Sequence, residues 1–229
     1  MKNKIADAIL SNQTVPMTKS SGRLLACGIF AGPVYVGLGL LQIAIRPGFN
    51  ITRHALSLLS NGDLGWIQIS NFLVTGVLLI AGAIGLHRSL TSGRGRTWAP
   101  RMLGLYGLGL IGAGIFRADP ALGFPPGTPL DHNSMSWHGQ MHFVAGGLGF
   151  AGLIASCFIF AIRFRIFGRT GWSTYSLITG IVFLAGFMGV ASGAKGVAII
   201  LFSLAVVLSF AWLSGVFQHV RSQENSPGA

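Results

Sequence analysis

Hydrophobic residues along this chain come in six long blocks, with neither the alternation of half-buried strands nor the one-sided spacing of a soluble helix. The blocks run about Leu24 to Ile45, Trp66 to Leu86, Met102 to Phe116, Phe143 to Ile162 with a start drawn back toward Ser136, Trp172 to Ala191, and Val197 to Phe217. Apolar runs of roughly 18 residues or more match the hydrocarbon thickness of a bilayer, so each block predicts a transmembrane helix. The expected fold class is therefore all-α, an integral membrane bundle of six spans. A polar tail occupies residues 1–22, one membrane domain residues 23–218, and a second tail residues 219–229.

Composition agrees: 51% of the 229 residues are hydrophobic and 9% are charged, against about 25% charged in soluble domains. The formal net charge of +11 raises nucleic acid as a partner. The basic residues, however, are scattered between apolar blocks and form no stripe interleaved with stacking aromatics, which excludes nucleic acid and leaves membrane flanks. Counting Lys and Arg along the chain gives four before the first span, four between the second and third, three between the fourth and fifth, and one after the sixth. The remaining loops hold only Arg46, Arg53, Arg117 and Lys195. The positive-inside rule then puts both termini in the cytoplasm of a cell with an inner membrane and these four residues outside. Cys27 and Cys157 lie within apolar blocks and carry no disulfide or zinc-ribbon pattern.

Glycine is concentrated in certain spans. Gly28 and Gly32 form a GxxxG pair, Gly104, Gly107, Gly109, Gly112 and Gly114 crowd the third span, and Gly146, Gly147, Gly149 and Gly152 the fourth. Small faces permit close backbone approach in lipid, so spans one, three and four are expected to be neighbours.

Chemistry is concentrated in two outer loops. In residues 46–65, Ile51, Ala55, Leu58 and Leu59 recur at helical spacing, which predicts a short interfacial helix presenting Arg53, His54 and Ser57 on its other side. The second loop, 117–142, holds Arg117, Asp119, Asp131, His132, His138 and His142. Three of the five acidic residues and four of the six histidines of the chain lie in these two stretches, and ionisable groups at a membrane are costly unless they have partners or a task.

His138 and His142 stand four apart, the spacing of a helical two-histidine metal site. With His54 and Asp119 they make a candidate tetrahedral set for zinc with an open water position, the layout of a hydrolytic centre, in which His54, Ser57 and Asp119 are the candidate catalytic residues. The same groups also suit a network that pins loops together, or a binding site in which Arg53, Arg117, Asp131 and His132 meet a polar headgroup. The expectation adopted is a multi-pass membrane protein binding a lipid or small amphiphile at this outer site. The alternative is an intramembrane zinc-type hydrolase or other lipid-modifying enzyme.

The segments Arg53-His-Ala-Leu-Ser57, Gly65-Trp66 with Asn71-Phe72, Gly114-Ile-Phe-Arg-Ala-Asp-Pro120 with Gly123-Phe-Pro-Pro-Gly127, His138 to His142, Gly171-Trp172 and Tyr175-Ser176 resemble a prokaryotic membrane family, the domain-of-unknown-function family 998. The likeness covers Arg23 to Phe217. It implies a multi-span fold and no assigned activity, and it places Arg53, His54, Ser57, Asp119, Pro120, His138 and His142 among the family's typical positions. By residue type alone, the set is also similar to membrane hydrolases of the ceramidase and progestin-receptor type, which group Ser, Asp and three His around zinc. Those proteins have seven spans with the paired histidines in the last, whereas here the pair lies at the fourth.

Overall fold

A computed structural model describes residues 19–130, 135–193 and 195–225. It is all-helical: α1 (Lys19–Ile45), α2 (Gly65–Ser89), α3 (Trp98–Ile115), α4 (Trp137–Ile166), α5 (Thr170–Ala191) and α6 (Val197–Asn225), with a short 3-10 helix at Leu56–Ser60. Five helices, all but α3, are long and apolar enough to cross a membrane. α3 has 18 residues, including Pro100, Arg101 and five glycines, which lower its apolar content.

Each helix packs against its sequence neighbours, and α6 closes back on α1, so the six form a ring. Consecutive helices join at alternate ends. One end carries the described residues of loops 46–64, 116–136 and 192–196, and is called here the lid end.

Hydrogen bonds stitch five of the six seams, as expected where burial against lipid supplies no drive for association and interhelical contacts are worth about 0.6 kcal/mol each. Gln42 Nε2 donates to Gln68 Oε1 (2.7 Å) between α1 and α2, and Ser156 Oγ donates to Ala99 O (3.3 Å) between α3 and α4. Ser173 Oγ donates to Ala161 O (2.8 Å) between α4 and α5. Trp212 Nε1 donates to Ser176 Oγ (2.9 Å) between α5 and α6, and Ser214 Oγ to Ile29 O (2.9 Å) between α1 and α6. At the sixth seam, α2 to α3, glycine replaces the hydrogen bond: a Cβ on Gly76 would lie 2.6 Å from Gly107 O, and one on Gly107 2.8 Å from Gly76 O.

The glycine-based neighbour prediction is half right. α3 and α4 do meet through glycine, where a Cβ on Gly109 would stand 2.6 Å from Gly149 Cα. Span one instead sits between α2 and α6, with Gly28 against the Phe217 ring and Gly32 against Phe210 O. The sparser glycines of α2 pack as closely as any, since a Cβ on Gly82 would be 2.8 Å from Gly28 Cα. A glycine count reports how tightly a helix can pack and does not name its partner.

Candidate functional site

At the lid end the two polar loops fold onto each other around a small apolar core of Leu58, Leu59, Ala118 and Phe124, flanked by Ile43, Phe49 and Leu56. Arg46 holds this lid from beneath. Its guanidinium donates to Leu59 O (3.0 Å) and to Asn61 O, and lies 5.1 Å over the Phe124 ring. Burial pushes the Arg46 pKa down and the Asp63 carboxylate opposes that shift. Its backbone hydrogen bonds and ring contact stabilise the guanidinium where a point-charge ammonium would be less well matched. Gly62, at φ +74°, lets the chain turn against Arg46 and Pro125, where a side chain would be strained.

The expected amphipathic helix in the first loop is reduced to turns and the five-residue 3-10 helix. Asn50 Oδ1 accepts from the Thr52 backbone N–H and hydroxyl (2.9 and 2.7 Å), a local competitor that stops a helix from starting at Ile51. His54, expected on a polar face, is 1% exposed. Its Nδ1 accepts from Asn50 N (2.9 Å), so its Nε2 carries the proton and donates to Leu122 O (2.9 Å). Both nitrogens are used, and neither lone pair is left for a metal.

Asp119 is committed as well. Its two carboxylate oxygens accept from Ser136 N (2.7 Å) and Ser136 Oγ (2.5 Å), while Ser136 Oγ accepts from Gly139 N (3.1 Å). The carboxylate thus reinforces the N-cap of α4 at its positive dipole end. Gly139 is where the chain gives way to it: a Cβ there would fall 2.3 Å from Asp119 Oδ2.

His138 and His142 share a helix but not an environment. His138 is exposed, with its ring 3.7 Å from that of Trp137. His142 is 7% exposed, and its Nδ1 meets the C-terminal carbonyls of α3, Ala113 O (3.1 Å) and Phe116 O (2.8 Å). Among the described residues no three His, Cys, Asp or Glu side chains are grouped to hold a metal, so His54, Asp119, His138 and His142 are not brought together. Arg53 and Arg117 are exposed, and neither takes the Asp119 carboxylate, which Ser136 occupies. Asp131 and His132 lie outside the described residues.

What the lid covers is a chamber of about 420 Å³ inside the ring. Ala55, Leu56 and Ser57 form its roof, and its walls draw on all six helices. Tyr35 and Tyr106 line its base, stacked on or tilted against Phe210 at 4.3 and 6.0 Å between centroids. Beneath that lies the solid core around Trp212, Leu213 and Phe217. Phe150, Phe187 and Phe202 meet edge-on or tilted along one side. The polar residues lining the chamber include Ser57 and His142. Because His142 Nδ1–H is spent on carbonyls, its Nε2 is an acceptor, and it has no hydrogen-bond partner among the described residues. Walls that are mostly apolar with a few placed polar groups are the usual makeup of a small-molecule site.

Of the candidate site residues, Ser57 and His142 reach this chamber, and His54 and Asp119 build the lid above it. Tyr35, Tyr106 and Phe150 were missed. They are ordinary aromatic residues within apolar blocks, and no local pattern separates a cavity wall from a packed core.

The comparisons fit this picture of a helical chain with an unassigned site. The family described as Protein of unknown function (DUF998) matches residues 29–219. No curated protein and no solved structure matches the chain. With 191 consecutive residues matched to that family, from position 29 to position 219, the chain belongs to DUF998.

Proposed function

We propose that the protein spans the inner membrane six times, with both termini cytoplasmic, and holds a lipid or small amphiphile in the chamber beneath the lid. The single observation that carries this reading is the chamber itself: about 420 Å³ of mostly apolar space kept open in a ring whose other half is tightly filled. Natural interiors rarely leave such a void unused, because a gap forfeits packing contacts along its lining.

The six-span topology is supported by the ring. α3 is about 27 Å long at 1.5 Å per residue, close to the bilayer core, and it runs between α2 and α4 with glycine contacts on both sides. The start of α1, the end of α6 and the arginine-rich loops lie at the end opposite the lid, and an outward-facing lid agrees with the positive-inside rule. The chemistry suits an amphiphile whose polar end meets Ser57 and His142 Nε2 and whose chain runs toward Tyr106 and Phe150. The lipid-modifying alternative has less support, since two of its proposed metal ligands, His54 and Asp119, are engaged by Asn50, Leu122 and Ser136, and no three candidate ligands are grouped among the described residues.

The test is thermal unfolding of detergent-purified protein with added palmitate. A ligand bound only to the folded state at about 100 times its Kd adds about 2.7 kcal/mol of stability. Wild type is expected to gain Tm with palmitate, and Val206→Trp, which fills the chamber from α6, to gain little. Equal shifts in both would refute the reading.

A further inference from the structure

We infer that the chamber opens sideways, between α4 and α5, and that its occupant is a single hydrocarbon chain of a membrane-resident amphiphile admitted directly from the surrounding leaflet. This rests on the binding reading above and adds the route and the chain number.

The mouth is located by exposure. Lining residues from α1, α2 and α3 are buried, among them Tyr35 at 7%, Phe72 at 3% and Tyr106 at 1%, and on α6 Val206 is buried at 6% and Phe202 half-buried. Phe143, at the head of α4, is 57% exposed although it lines the chamber, and Ala191 and Gly193 opposite it at the end of α5 are exposed too. Phe143 stands six residues into α4 from Trp137, about 9 Å along the axis. That depth is below the level at which an interfacial Trp sits, so this part of the mouth faces acyl chains and not headgroups.

The gap continues one turn deeper. A Cβ on Gly146 would meet nothing within 4 Å, and one on Gly147 only the tip of the Phe187 ring at 3.9 Å. Toward the other end the same two helices close: a Cβ on Gly180 would be 3.0 Å from Cys157, and Ser173 reaches Ala161 O. α4 and α5 are therefore pinned at one end and parted at the other. Above stand the partly exposed lid residues Ala55, Leu56 and Ser57; below, Tyr35 and Tyr106 pack on Phe210 over the solid core.

His142, a 7% exposed residue, lines the same chamber with its Nδ1 side held on the Ala113 and Phe116 carbonyls and no hydrogen bond to its Nε2 among the described residues. A volume of about 420 Å³ admits roughly one long acyl chain and not a whole two-chain lipid. A single-chain amphiphile fits wholly, and a two-chain lipid would leave its second chain in the bilayer through the mouth.

The test uses the full chain in phosphatidylcholine vesicles carrying diazirine-labelled palmitate, in a Cys27→Ala, Cys157→Ala background with Gly147→Cys and Phe187→Cys. A short bis-methanethiosulfonate linker joins the new thiols across the mouth and is removed by dithiothreitol. The readout is the rate at which light incorporates label into the α3 peptide containing Tyr106 to Ala113. Linking is expected to slow that rate at least tenfold, with recovery on reduction and unchanged labelling of lipid-facing α5. An unchanged α3 rate in the linked protein would overturn the side mouth while leaving binding intact. No α3 labelling in either state, with wild type also unlabelled, would overturn the binding reading and this inference with it.

Discussion

His54 is bound to Leu122, 68 residues away in sequence, by a 2.9 Å hydrogen bond from its Nε2 to the Leu122 carbonyl. A second hydrogen bond, from the Asn50 amide to Nδ1, fixes the tautomer. Together they join the two polar loops into one lid. The histidine expected to complete a metal site with His138 and His142 has no lone pair left to offer.

His54→Ala should therefore loosen the lid without changing metal content. Leaving the Asn50 N–H and Leu122 C=O unpaired in a buried setting costs about 1–3 kcal/mol. The expected result is a lower Tm in detergent and faster proteolysis within residues 46–64, read by mass spectrometry of the fragments.

Chelation supplies the complementary test. Because His54 and Asp119 are held by Asn50, Leu122 and Ser136 and are not grouped with His138 and His142, prolonged treatment with EDTA should leave both Tm and the helical circular dichroism signal unchanged. A Tm drop restored by zinc would show that the engaged donors rearrange around an ion.

Asp119→Ala removes the carboxylate that accepts from Ser136 and faces the start of α4. A loss of about 1 kcal/mol is expected for an N-cap group of this kind, and Asp119→Asn should retain part of it. Gly139→Ala should be worse than either, because its methyl would occupy the space of the carboxylate. Equilibrium unfolding of the three variants in mixed micelles would rank them.

The glycines divide by what surrounds them. Gly109→Ala forces a methyl against Gly149 Cα and should cost on the order of 1–3 kcal/mol by overpacking. Gly146→Ala meets open space and should be neutral or stabilising by up to about 1 kcal/mol through helix propensity. Comparing the two Tm values checks whether α4 borders a void.

Much of this fold was legible in the sequence because it follows from a local quantity, the length of uninterrupted apolar sequence. The six blocks became six helices, with Ser136 marking the start of α4 as its N-cap. The neighbour relations were less legible. Gly146 and Gly149 look alike in sequence, yet one faces open space and the other the backbone of α3. The two polar loops singled out in the sequence build the lid, with a division of labour among their residues that differs from the expectation. His, Asp and Arg drew attention as scarce polar groups, and Arg46, His54 and Asp119 turned out to spend their hydrogen bonds on the lid. The space they enclose is made by aromatic and small residues whose separation is set by tertiary packing, which periodicity does not encode.

The most direct measurement of the central claim is native mass spectrometry of the protein released from gentle detergent, wild type beside Val206→Trp. A folded wild type carrying one bound acyl-chain-sized mass, absent from the equally folded variant, is the predicted result. An empty wild type, or the same adduct on both proteins, would contradict it.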